Sequence, residues 1–64
     1  MHSNLLRPKA AAAKAGISVS HLYHLVALNE FPQRIKISQG ISAFLESEID
    51  EWIARKIEAS RSGK

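Results

Sequence analysis

The chain has no cysteine, so neither disulfides nor thiolate–zinc sites can stabilise it. It has no apolar run of more than a few residues, far short of the ~20 that a membrane span needs. No signal-peptide pattern precedes Pro8, and a cytoplasmic location is expected. Its 64 residues leave no room for a separate catalytic domain, and a chain this short buries only about 60% of its unfolded surface. No glycine-rich loop is present to cradle a phosphate. Ser18, Ser20, His21 and Glu30 are near one another in sequence, but no acid is placed to orient a histidine. An enzyme is not expected.

Acids are scarce in the first two thirds of the chain. Up to Phe44, Arg7, Lys9, Lys14, Arg34 and Lys36 face a single acid, Glu30. From Leu45 onward Glu46, Glu48, Asp50, Glu51 and Glu58 slightly outnumber Arg55, Lys56, Arg61 and Lys64. The net charge of +3 is thus lopsided, and the front of the molecule is the candidate surface for a polyanion.

What the chain does contain is a pattern from Ala12 to Pro32, AAKAGISVSHLYHLVALNEFP. Ala12 is small where a second helix must cross closely. Gly16 suits the left-handed conformation that ends a helix. Ile17 plugs the corner, and Ser18 can cap the next helix through its side-chain oxygen. Leu22, Leu25 and Val26 then recur at helical spacing. This is the spacing of a helix-turn-helix, which in a small basic protein serves to put the second helix into the DNA major groove.

The flanking segments complete a domain. Leu5 and Leu6 suit a short strand or lid, and Pro8 suits the first turn of a helix that runs to Ala15. The second helix is predicted from Val19 to Leu28, with Asn29 as a left-handed terminator and Pro32 barring continuation. Ile35 to Ser38 alternates apolar and polar residues, Gln39 and Gly40 mark a turn, and Ile41 to Leu45 reads as the returning strand of a wing-sized hairpin. Ser47 and Asp50 approximate a capping box for a last helix whose apolar stripe is Ile49, Trp52, Ile53 and Ile57. The expected fold is mainly α with a small β-hairpin, a winged helix-turn-helix. Residues 1–4 are expected to be disordered, 5–60 to form the domain and 61–64 to be a flexible tail.

The order of LLRPK, GISVSHLYHLV, NEFPQRIKI and FLESEIDEWI resembles the AlpA-type prophage regulators, which are similar to excisionases and to the DNA-binding domain of MerR-type activators. The resemblance spans Leu5 to about Ile57. It implies sequence-specific binding of double-stranded DNA, for transcription control of prophage genes or for excision beside an integrase. Integrase or RNA polymerase, and further copies of the chain on neighbouring sites, are the implied partners in a nucleoid-associated setting. Where such regulators usually carry arginines, this chain has Val19 and His24, and its hairpin reads SQGISAF.

The expected interface follows. Ser20, His21 and His24 lie on the outward face of the second helix and would reach base edges. Tyr23 would set its hydroxyl on a phosphate, Lys9, Arg34 and Lys36 would contact the backbone, and Gln39 would sit at the hairpin tip near the minor groove. A metal at His21 and His24 finds no third or fourth ligand nearby, and no cofactor is expected. The alternative is a winged helix that binds protein, as an antirepressor or assembly adaptor, through Val19, Leu28 and Ile41.

Overall fold

The computed structural model describes residues 4–63. In chain order these form β1 (Leu5–Leu6), α1 (Pro8–Ala15), α2 (Val19–Ala27), β2 (Ile35–Ser38), β3 (Ile41–Leu45) and α3 (Glu46–Gly63). Met1 to Ser3 and Lys64, part of the expected loose termini, lie outside the described residues.

The three-residue turn between α1 and α2 follows from local chemistry. Gly16 adopts φ 77° and ψ 27°, a conformation that a Cβ would strain. Its N–H donates to the Ala13 carbonyl at 3.1 Å, and the Ile17 N–H donates to the Ala12 carbonyl at 3.0 Å. This Schellman pair satisfies two carbonyls left open at the end of α1. Ser18 is extended and its Oγ accepts the His21 N–H at 3.1 Å, capping α2. α2 closes in the same manner. The Asn29 N–H donates to the Val26 carbonyl at 3.1 Å and the Glu30 N–H to the Leu25 carbonyl at 2.8 Å, with Asn29 at φ 60°.

Beyond that cap the chain folds back through Phe31, which is buried. Its ring meets Phe44 edge-on at 5.6 Å and Trp52 at 4.8 Å between centroids. The Trp52 indole N–H donates to the Glu30 carbonyl at 2.8 Å. The Phe31–Pro32 corner is thereby fixed against α3.

β3 lies at the centre of a three-stranded sheet of order β1-β3-β2. Leu5 and Leu6 form a strand, pairing antiparallel with Leu45 and Phe44. In the hairpin Ile35 faces Ala43 and Lys36 faces Ser42, but the next pair is Ser38 with Ile41. The ladder skips Ile37, which is exposed. A regular alternation would turn Ile37 inward beside Ile35, and the irregularity defeats it.

α1 packs against α2, α3, β3 and β1. Its small residues are what permit this: Ala11 and Ala12 are buried with Leu22 and Val26 of α2, Phe44 of β3 and Ile49 of α3. Among the described residues none that is polar or charged is buried.

β3 runs directly into α3 at Glu46, and the chain's N-terminal segment meets this end. The Glu46 N–H donates to the Asn4 carbonyl at 2.8 Å, and the Asn4 amide donates to the Glu46 carboxylate at 3.2 Å. At the other end the helix runs to Gly63. The domain body does not reach so far, and Ile57 is 47% exposed despite its place in the apolar stripe.

Candidate nucleic-acid interface

At 100° per residue, the buried Leu22 and Val26 define the inner side of α2. Opposite them runs one row at i, i+4 spacing, Ser20, His24 and Leu28. A second row, Val19, Tyr23 and Ala27, runs along one flank, with Val19 beside Val26 in projection, and His21 stands on the other flank. All seven are exposed. The His21 and His24 rings lie 6.2 Å apart between centroids, so the two imidazoles form one polar patch near the middle of the helix. α2 carries no lysine, arginine or carboxylate. Its outer face offers hydroxyl, imidazole, phenol and apolar groups only.

The candidate cations stand on other elements. Lys9 is exposed in the first turn of α1, Arg34 precedes β2, and Lys36 is exposed on β2. Gln39 is exposed in the hairpin turn, where Gly40 takes φ 77°. Among the described residues Lys9, Arg34 and Lys36 join no ion pair with another side chain. Arg7, which sequence reading did not assign to the interface, is exposed just before α1. Its position one residue before Pro8, beside the open N–H groups of a helix start, is the signal that could have identified it.

Lys14 is removed from the basic front. Its Nζ lies 3.2 Å from Glu46 and 3.1 Å from Asp50 of α3. The hydrogen bonds to Asp50 and then Glu46 hold its pKa above the usual lysine value. Its charge serves to tie α1 to α3. The front therefore presents fewer free cations than its composition suggests.

A turn set by Gly16 and Ser18, a second helix with a bare outer face, and a hairpin and third helix behind them define a winged helix-turn-helix, an architecture used by DNA-binding regulators. Within that class the chain belongs to the AlpA family: the model of that family, described as prophage CP4-57 regulatory protein (AlpA), matches residues 4–57. It is accordingly a prophage regulatory protein of a DNA-binding, helix-turn-helix family. No curated protein and no solved structure gives a significant match. No helix among the described residues is long and apolar enough to cross a membrane.

Proposed function

We propose that the chain binds double-stranded DNA sequence-specifically, with α2 in the major groove. Ser20, His21 and His24 would contact base edges, and the Tyr23 hydroxyl would meet a phosphate. Lys9, Arg34 and Lys36 would fix the register through the sugar–phosphate backbone, with Arg7 beside them, and Gln39 would approach the minor groove. The observation that carries this reading is the outer face of α2, exposed along its length and free of any packed element. Phosphate contacts position such a protein and base contacts specify its site.

The few free cations bear on how it would act. Each neutralised phosphate releases counterions, and three or four give a modest electrostatic contribution to affinity. Occupancy would then rely on several copies at neighbouring sites, or on a partner such as integrase or RNA polymerase. Both transcription control of prophage genes and excision fit that requirement. A mobility shift on DNA from the protein's own locus, with excess nonspecific competitor, tests the reading. A retained complex supports it, and complete loss to competitor refutes specific binding.

One observation favours a second reading. Leu28 is 52% and Ile41 39% exposed, and with Val19 they are apolar side chains that a protein partner could cover. Retention of a regulator in a pull-down after nuclease treatment would favour an antirepressor or assembly adaptor.

A further inference from the structure

The outer face of α2 lacks every side chain that reads guanine or adenine by a paired hydrogen bond. Arginine and lysine suit the O6 and N7 of guanine, and asparagine and glutamine suit the N6 and N7 of adenine. α2 is VSHLYHLVA and contains none of the four. Half of its exposed face is instead apolar. Val19 is its first residue and 37% exposed, Tyr23 is 42% exposed, and Ala27 continues the same i, i+4 row. The first turn of a recognition helix is the part that comes nearest to base edges. A valine there, next after the Ser18 cap and 37% exposed, has no polar atom to offer.

The major groove presents one apolar feature, the C5-methyl group of thymine. We infer that Val19, Ala27 and the ring of Tyr23 read thymine methyl groups, with the Tyr23 hydroxyl left to its phosphate, so that the cognate site is defined by thymines along one edge of the groove rather than by guanines. This rests on the proposed placement of α2 in the major groove and adds to it the chemistry of the site. Ser20 and His24, on the adjacent row, supply the directional hydrogen bonds that apolar contact lacks. Exposed apolar groups on a helix that carries no lysine, arginine or carboxylate make sense on this account. Arg7, Lys9, Arg34 and Lys36 bring the helix to the phosphates, and the apolar row loses its water against methyl groups at the groove floor.

The test removes the methyl groups without touching the protein. Duplexes bound by the full chain are recovered from a random-sequence pool, and the tightest is resynthesised with deoxyuridine in place of each thymidine in turn. The expected result is a thymine-containing site at which two or three single replacements each weaken binding roughly fourfold, the factor associated with burying one methyl-sized group. V19S, at an exposed position where folding is checked by circular dichroism, should bind the thymidine and deoxyuridine duplexes equally at one of those positions. A specific site that binds unchanged after full replacement, or one whose affinity resides in guanines, overturns the inference while leaving DNA binding intact. A pool from which no duplex is recovered overturns the DNA reading together with the inference.

Discussion

Gly16 and Ser18 set the angle at which α2 leaves the body, and their contributions are separable. Gly16 sits at φ 77° with open space where a Cβ would stand, so an added methyl meets backbone strain and no clash. Gly16→Ala is predicted to lower stability by about 1 kcal/mol, and Ser18→Ala by about 1 kcal/mol through loss of the cap, both read from urea unfolding. Lys14 acts differently. Its raised pKa means that the folded state holds the proton more tightly than the unfolded chain does. The resulting stabilisation is fully present below the ordinary lysine value of 10.5 and is lost as pH rises through the higher folded value. Wild type should therefore lose more stability on alkaline titration than Lys14→Met, as measured by the midpoint of urea unfolding. Equal losses would contradict a role for the pairs with Asp50 and Glu46.

The helices and strands divide according to how much of their environment is local. The corner from Ala12 to Asn29 was legible in sequence because its determinants, a left-handed glycine, a serine cap and a left-handed asparagine, act within five residues of themselves. The stop at Pro32 was legible for the same reason, whereas the contacts of Phe31 with Phe44 and Trp52 that fix the reversal are distant in sequence. The contact of Asn4 with the start of α3 was not legible, since Asn4 stands 42 positions before Glu46. The exposure of Ile37 was not legible either, because alternation predicts burial only in a regular ladder, and this one skips it. The stripe on α3 was read correctly as helical but too far along, because sequence periodicity does not reveal where the neighbouring body ends. This yields a contrast within one element. Ile49→Ala should lower stability by about 2–5 kcal/mol, enough to unfold much of so small a domain. Ile57→Ser should stay within about 0.5 kcal/mol of wild type. Thermal unfolding of the two variants checks the pair.

Taken together, the protein measures 42 × 30 × 18 Å with a radius of gyration of 12.2 Å, above the ~10.7 Å of a compact chain of this length. The overhang of α3 accounts for the elongation: 18 residues span about 27 Å. The acids of this helix begin opposite α1, where Glu46 and Asp50 hold Lys14, which leaves Lys9 on α1 and Arg34 and Lys36 at β2 without an ion pair among the described residues. Which residues would touch DNA was legible only as a face, because an exposed side chain is constrained by its ligand and not by the fold. The number of free cations sets a quantity that can be measured. With three or four phosphates neutralised, the slope of log K against log salt should be about −3 to −4. A slope steeper than about −5 would show that cations outside Arg7, Lys9, Arg34 and Lys36 take part.

The most direct test of DNA reading by α2 is fluorescence anisotropy of His24→Ala against wild type, on the cognate duplex and on a scrambled one, at a single salt concentration. His24 is exposed and lies outside the core, so the variant should fold as wild type does. The expected result is a loss of about 1–3 kcal/mol on the cognate duplex with no change on the scrambled one. Equal affinity of both proteins for the cognate duplex would contradict base contact by this face.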